Sequence, residues 1–494
     1  MIEVISARDM MAFEKHTIEQ LGVPSIALME TASGAVAREA RSLFGIDKTV
    51  MFICGPGNNG GDGYCAARWF IHMGGKAIVV ALGSPKTPDA QLNMRILENM
   101  GVKIYPHIPL SLSFDGIVDA MFGTGFKGEL TGEYYAAAKF MNDSPAPVLS
   151  IDIPSGVNGS TGAAKYAVDA DVTVTFQFPK LGHYLYPGKE YTGKLIVHDI
   201  GVSPLSVTEI NSVVLDKKDI AALMPPRRLN TYKGDYGHVV IVAGSRGMAG
   251  AAVLAAQGAL KGGAGLVTVG CCKDSVLPIV QSGAFEAMAY GLYETPEGQI
   301  SADNDLLSLM QKKTVLAMGC GLSSSPNTKK LVTKLREFNL PTVMDADALN
   351  VSDGLFGTRC VITPHVGEMA RLTGLTTKDI LNDPYNIALQ FATQRKVTVL
   401  LKGTTTIIAD KDGRVTLNVT GTPAMSTGGS GDVLTGVISA LMAQGLEPYD
   451  AARMGAYIHG LAGELAEKRL STQSVTAMDI AAQLFGAFRE VYSN

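Results

Sequence analysis

Short apolar runs alternate with segments of helical spacing along most of the chain. Residues 7–20 and 25–44 place apolar side chains at the three- and four-residue intervals of a helix face, and Thr49–Cys54 (TVMFIC) then reads as a buried strand. A Gly-rich turn and a helix over about 64–73 follow. Further strands are expected at Ala77–Ala81, Gly116–Phe122, Val148–Ile153, Val172–Phe176 and Leu195–His198. Strands alternating with helices predict an α/β fold with a mostly parallel sheet covered on both faces.

The rhythm restarts near residue 212. The stretch LMPPRRLNTYKGDYG (223–237) concentrates Pro, Arg and Gly ahead of a new strand, His238–Val242. More strands are expected at Thr314–Met318, Thr342–Met344, Cys360–Thr363, Val397–Lys402 and Thr405–Ala409, with helices at about 249–261, 385–395, 430–444 and 448–468. The expectation is two three-layer α/β domains, residues 1–212 and 213–494, and a length of 494 residues suits that division.

Composition narrows the function classes. Apolar residues make up 46% and charged residues 18%, which is globular composition. A net charge of −4 gives no electrostatic case for nucleic acid or for an anionic membrane surface. Six cysteines without C-x-x-C spacing read as reduced, buried thiols. No run approaches the length of a spanning helix, and MIEVISARDMM lacks the basic start of a signal peptide. The expectation is a soluble, cytoplasmic protein with small-molecule partners, with neither nucleic acid nor membrane, and with self-association left open.

The segment CGPGNNGGDG (54–63) carries Gly55-x-Gly57-x-x-Gly60 between a strand and a helix, where glycines let the backbone approach a phosphate group. An ordinary dinucleotide site also needs an acidic residue at the end of the next strand. That strand ends Val80-Ala81-Leu82-Gly83, with no carboxylate until Asp89, so a hydride-transferring dehydrogenase is disfavoured. Asp119 (in VDAMFGTGFKGE, 118–129) and Asp152 (in SIDIPSG, 150–156) sit at strand ends. In a doubly wound sheet such ends share one crevice, where Asn59, Asp62, Asp119, Asp152 and Ser155 could converge. Capping of turns is the competing explanation for any one of these Asp residues.

GPGNNGGDG, DAMFGTGF and SIDIPSG together resemble the YjeF N-terminal domain, the NAD(P)H-hydrate epimerase family, over roughly residues 1–210. The resemblance implies a Rossmann-like domain that binds hydrated nicotinamide through Asn58, Asn59, Gly60, Gly61 and Asp62. It also implies contacts from Gly123, Thr124, Gly125, Phe126, Lys127, Gly128 and Glu129, with Asp152 completing the site. By the same resemblance, Asn59, Asp119 and Ser155 would coordinate a potassium ion. Inverting the hydroxyl-bearing carbon requires its C–O bond to be broken and restored on the other face, and Asp152 is the candidate to shuttle the proton.

In the second half, GTPAMSTGGSGDVLTG (421–436) puts a Gly-rich loop directly before an apolar helix, an anion hole built from free N–H groups. Asp432 beside that hole would repel phosphate, which suits a base acting on a hydroxyl about to be phosphorylated. Helix capping is the alternative. GSRGMAGAA (244–252), GCGL (319–322), MDADALN (344–350), TPHVGEMARL (363–372) and LLKGTTTII (400–408) complete the set. Together these resemble the ribokinase-like ADP- or ATP-dependent NAD(P)H-hydrate dehydratases over about 213–490.

That resemblance implies nucleotide contacts at Lys402, Gly403, Thr404, Thr405, Thr406 and Gly431, and places the hydrate near Ala252, Gly321, His365 and Asp432. Magnesium would accompany the ADP or ATP phosphates. The competing reading is a small-molecule kinase of the same fold, fused to a non-catalytic binding domain.

Overall fold

The computed structural model describes residues 1–223 and 226–493. The chain divides into two compact units, Glu3–Ile210 and Asn211–Asn494, the latter together with Met1–Ile2.

The first unit is built on seven parallel strands in the spatial order Ile104–Tyr105, Lys76–Ala81, Thr49–Cys54, Gly116–Ala120, Val148–Ile151, Val172–Phe176 and Lys194–His198. Alternate residues of a strand face opposite sides of a sheet. Val50, Phe52 and Cys54 accordingly join one core with Met10, Val36 and Phe70 from covering helices. Met51 and Ile53 join the opposite core, with Met141 from the helix Gly132–Asp143. Apolar side chains at consecutive positions are what a strand covered on both faces requires. The chain runs outward from Thr49–Cys54 to one side and then returns to place Gly116–Ala120 on the other. The crevice beyond the carboxyl ends of these two strands is the usual ligand position in such a sheet.

The second unit carries an eleven-stranded sheet in the order Ile2–Glu3, Ser212–Val214, Val415–Asn418, Thr406–Ala409, Thr398–Leu401, Cys360–Ile362, Thr342–Met344, Val315–Met318, His238–Val242, Leu266–Cys272 and Met288–Leu292. Thr406–Ala409 is antiparallel to both its neighbours, while Thr398–Leu401 through Met288–Leu292 run parallel. Its switch of direction lies between His238–Val242 and Val315–Met318. Two helices, Ala249–Lys261 and Ser430–Ala443, cross closely here. A Cβ on Gly436 would lie 2.2 Å or less from the facing backbone, at 2.1 Å from the Ala255 carbonyl oxygen, and one on Gly258 would lie 2.2 Å from that of Val433.

Helix Asn58–His72 starts earlier than its sequence suggests, so Asn58–Asp62 form its first turn rather than a loop. Glycines lower helix propensity and so read as a turn, but here they meet backbone. Strands Leu266–Cys272, Met288–Leu292 and Val415–Asn418, and helices Pro88–Asn99 and Ala477–Tyr492, are further elements absent from the sequence reading.

Candidate active sites

In the first unit, the turn after Thr49–Cys54 closes only around glycine. A Cβ on Gly55 would lie 2.0 Å from the Met121 carbonyl oxygen, and one on Gly60 would lie 1.8 Å from that of Gly55. Gly57 is the N-cap of the helix and no side chain caps it. Asn58, Asn59, Asp62, Gly123–Lys127, Glu129 and Asp152 line one cavity of about 830 Å³, with Glu14 among its other walls. Gly60 and Gly61 are buried behind that wall, where a Cβ on Gly61 would press on Met29 and Ala90. Gly128 takes φ +94°, turning the second loop.

Asp152 holds φ +68°, a conformation that favours Gly, Asn or Asp and marks a site under constraint. Its carboxylate accepts hydrogen bonds from the Thr124 N–H (3.1 Å), Thr175 Oγ1 (3.1 Å) and Lys180 Nζ (2.8 Å). Lys180 is fully buried, so this is an interior ion pair. Burial disfavours the carboxylate, but Lys180, His183 and Thr175 outweigh it and hold the Asp152 carboxyl below its usual range.

His183 is pushed down to about 4, by burial first and by Lys180 next, and is therefore neutral. Its Nδ1 accepts the Lys180 N–H (3.0 Å), which leaves Nε2 to donate to the Asp152 carbonyl (2.9 Å). Lys180 and His183 both come from FPKLGHYLYPG (178–188), which the sequence reading passes over. A lysine set between apolar residues in a Gly- and Pro-rich stretch is the only signal it carries.

Asp119 is buried below the cavity floor. It accepts from Ser150 Oγ (2.9 Å), Ser155 N–H (2.9 Å), Ser155 Oγ (2.6 Å) and the Met121 N–H (3.2 Å). Burial raises its carboxyl against those bonds. Ser155 Oγ in turn accepts the Phe122 N–H (2.9 Å). Asn59 donates through Nδ2 to the Ile151 carbonyl (2.9 Å), while its Oδ1 is buried with no hydrogen-bond partner. Gly123 separates Asn59 from Asp152, since a Cβ there would lie 3.0 Å and 2.9 Å from them.

In the second unit, Asp345 is the hub. It follows strand Thr342–Met344, is buried, and accepts from Lys402 Nζ (2.8 Å), Thr435 Oγ1 (3.0 Å) and the Ala346 N–H (2.9 Å). Burial opposes the charge on Lys402, but Asp345 and Glu368 outweigh it and hold the ammonium above its usual range. Gly431 covers this pair, and a Cβ there would lie 3.3 Å from Lys402 Nζ. Asp347 accepts from the Ser323 N–H (2.8 Å) and Ser324 Oγ (2.9 Å), which holds the turn after Gly321.

Asp432 is the third residue of helix Ser430–Ala443, whose N-cap is Gly429 without a side-chain capping bond. Asp432 therefore does not cap its helix. Burial pushes its carboxyl up to about 6; Cys320 and Lys402 oppose this while Asp345 and Asp347 add to it. A carboxyl tuned toward neutrality is suited to take a proton at physiological pH.

His365 is the N-cap of Val366–Thr373. Its Nδ1 accepts from the Gly367 N–H (2.9 Å) and the Glu368 N–H (3.3 Å), while Glu368 Oε2 accepts its own N–H (2.9 Å). The capping role fixes the ring; its Nε2 lies 3.5 Å from Glu368 Oε1, and the side chain is 55% exposed. A backbone bridge places His365 beside Lys402. Gly403 and Thr404 are exposed, and Thr405 buried, in the hairpin turn before Thr406–Ala409. Gly321 takes φ +63° against the Met248 carbonyl. Ala252 is wholly buried, so its side chain offers no surface to a ligand.

Residues 239–485 match the family model of the NAD(P)H-hydrate dehydratases, and residues 25–182 match that of the YjeF-related protein N-terminus. Bifunctional NAD(P)H-hydrate repair enzymes of Thermofilum pendens and Moorella thermoacetica are 37% and 39% identical to the chain. The alignments cover 100% and 97% of this chain and 98% and 95% of those proteins. The chain belongs to the family of bifunctional NAD(P)H-hydrate repair enzymes.

The repair enzyme of Escherichia coli is 33% identical over 97% of the chain and 92% of its own length. Among solved structures, the ADP/ATP-dependent NAD(P)H-hydrate dehydratase of Bacillus subtilis, co-crystallised with ATP/Mg2+, is 29% identical. It superposes with a TM-score of 0.52 over 57% of this chain and all of that one. Among the described residues, no helix is long and apolar enough to cross a membrane.

Proposed function

We propose that residues 1–212 interconvert the R and S epimers of hydrated NADH and NADPH, and that residues 213–494 dehydrate the S epimer. ADP or ATP is consumed in the second reaction, giving AMP or ADP and phosphate. The observation that carries this reading is the environment of Asp432, a half-buried carboxyl that caps no helix end and is raised to about 6, in the first turn after a Gly-rich anion loop. Similarity to repair enzymes along the whole chain supports both halves.

For dehydration, the substrate hydroxyl is a poor leaving group from the tetrahydropyridine ring. Asp432 takes its proton while the oxygen attacks the terminal phosphorus of the nucleotide. The ring nitrogen lone pair then forms a C=N bond as phosphate leaves with the C–O bonding pair. Loss of a proton from the adjacent ring carbon, to the departing phosphate or to water, forms the ring C=C, returns the C=N pair to nitrogen and restores the dihydropyridine. Lys402, Gly403, Thr404, Thr405, Thr406 and Gly431 are assigned to the nucleotide, and Gly321 and His365, in the neighbourhood of Ala252, to the hydrate. His365 Nε2, 3.5 Å from Glu368 Oε1 on a side chain 55% exposed, would donate to an oxygen of the nicotinamide carboxamide or of a ribose.

Among the described residues no group of three His, Cys, Asp or Glu side chains could hold a metal ion. Magnesium would therefore be held mainly by nucleotide phosphates and water, where it neutralises developing charge. In the epimerase half, Asn58–Asp62, Gly123–Glu129 and Asp152 are assigned to the hydrate. A potassium ion held by Asn59, Asp119 and Ser155 would satisfy the buried Asn59 Oδ1 and supply a fixed positive charge. A cytoplasmic location is part of the same proposal, since reduced nicotinamide cofactors and ADP or ATP are used there.

The test mixes the protein with an equilibrated pool of both epimers, adds ADP or ATP separately, and follows reduced-cofactor absorbance and free phosphate. Both epimers should be consumed completely, with one phosphate per cofactor recovered. Persistence of the R epimer would remove the epimerase assignment. A stable phosphorylated product would show a kinase instead.

A further inference from the structure

Helix Ala7–Glu19 buries Met10, Phe13 and Thr17 against the first unit's core. Glu14 lies on that same stripe, one residue beyond Phe13 and one turn beyond Met10, where an amphipathic helix ordinarily places an apolar side chain. It is half-buried and lines the cavity that also holds Asp62, Asn59 and Asp152. Among the described residues none forms a hydrogen bond or ion pair with its carboxyl. A carboxylate placed this way costs stability unless it keeps a proton or has a ligand.

The charges around the cavity decide which carboxyl can give a proton. Glu14, Asp62 and Asp152 act on one another there, and Asp89 adds to the repulsion on Asp62. Lys180 is the cation that acts on both Glu14 and Asp152, while Lys86, Lys127 and Glu129 also line the cavity. His183, behind Asp152, is neutral. Lys180 is committed to Asp152 at 2.8 Å, and the remaining bonds to Asp152 all donate to its charged form. Asp152 is thus a fixed anion and a poor proton donor. The proton retained at neutral pH belongs to Glu14 and Asp62, which titrate as neighbours. Burial pushes Glu14 up to about 7, against Lys180 and with Asp152 adding. Burial also drives Asp62 well above its usual range, with Asp152 and Glu14 adding to it, so Asp62 keeps its proton and serves as a hydrogen-bond donor.

We propose that Glu14 is the general acid of epimerisation, a catalytic residue that neither of the matched motifs contains. This rests on the epimerase reading of the first unit. The protonated Glu14 carboxyl gives its proton to the hydroxyl oxygen, which leaves as water with the C–O bonding pair. The ring nitrogen lone pair forms a C=N bond, and the resulting cation is stabilised by the Asp152 carboxylate. Water then adds to the opposite face, the C=N pair returns to nitrogen, and the proton shed by that water returns through solvent to Glu14. The enzyme ends as it began, with the carbon inverted.

The experiment measures exchange of isolated S and R epimers by the full-length protein without nucleotide, after subtraction of the spontaneous rate. Glu14→Gln should lower kcat by about 10²–10⁴-fold, the range for loss of a general acid, with KM changed only a few-fold. Glu14→Asp should recover part of that loss. The wild-type rate should fall as pH rises past about 7, where Glu14 ionises, and the Gln variant should lack that limb. Nucleotide-dependent dehydration of the S epimer by the Gln variant should match wild type, which reports that the chain is folded. A Gln variant with wild-type kcat, or one impaired only in KM, overturns the assignment of Glu14 alone. A wild-type protein that exchanges no epimers overturns the epimerase reading beneath it.

Discussion

Asp432→Asn separates a catalytic carboxylate from a structural one, because the two roles predict opposite changes in stability. The substitution keeps shape and removes the charge. If Asp432 is the base, dehydration should fall by about 10²–10⁴ in kcat, which is roughly 3–5 kcal/mol of barrier at about 1.4 kcal/mol per decade. Nucleotide affinity should hold or improve, since a negative charge near the phosphates has gone.

Stability should rise at neutral pH. The folded carboxyl is held at about 6, above the ordinary aspartate value of 3.8, so between these values the native state binds a proton that the unfolded chain releases. Stability that is fully present below about 4 is then lost as pH rises through 6. At about 1.4 kcal/mol per unit that loss is at most roughly 3 kcal/mol, and partial solvent access makes it smaller. The Asn variant escapes it. Unfolding by urea without nucleotide should therefore show the variant equal to wild type near pH 4 and more stable above pH 6. Wild-type dehydration should rise about tenfold per pH unit below 6 and flatten above. Full turnover in the variant, or lower stability at pH 7, would refute the reasoning.

Asp152→Asn should abolish epimer exchange and leave S-epimer dehydration intact, and Asn tolerates the positive φ at this position. It also removes the countercharge of a buried lysine, so thermal unfolding of the first unit should register a loss of about 3–5 kcal/mol. Gly60→Ala places a methyl 1.8 Å from the Gly55 carbonyl oxygen; epimerisation should be lost with the fold of that turn, as read by limited proteolysis together with exchange rates. A crystal grown with potassium, or with thallium as its anomalous substitute, should show density within coordination distance of Asn59 Oδ1. A water there with ordinary hydrogen-bond distances in both salts would remove the cation.

The residues that the sequence exposes are those set at strand ends. Asp119, Asp152 and Asp345 each lie within or directly after a short, mostly apolar strand of three to five residues, and the parallel topology that such strands imply carries all of them to the carboxyl end of the sheet. Asp432 stands out because a Gly loop precedes an apolar helix. Lys180, His183 and Glu14 are hidden for a common reason. Their roles come from contacts made across the fold, Lys180 reaching Asp152 from 28 positions away, and no local period marks them. Glu14 is even misleading, because its apolar neighbours at helical spacing make it look like a solvent-side residue displaced by one. The helix start at Asn58 is obscured by glycines whose need is tertiary, at backbone contacts with Gly55 and Ala90.

The same chemical group is set to opposite purposes in the two units, and the difference lies in the cations. Asp152 is buried with its own lysine and two further donors to its charged form, which together hold its carboxyl below the usual range. Asp432 is half-buried, but the nearby lysine is already paired with Asp345, and the carboxylates of Asp345 and Asp347 add their repulsion. Its proton is therefore loosely held near neutrality. An anion that cannot take up a proton is useful where a cationic ring must be stabilised, and a carboxylate that readily takes one up is useful where a hydroxyl must be activated. Epimerisation with a fixed Asp152 then requires a separate proton donor in the same cavity. Glu14 meets that requirement without a second lysine, because burial, with the charge on Asp152 adding, raises its carboxyl to about 7 against the pull of Lys180.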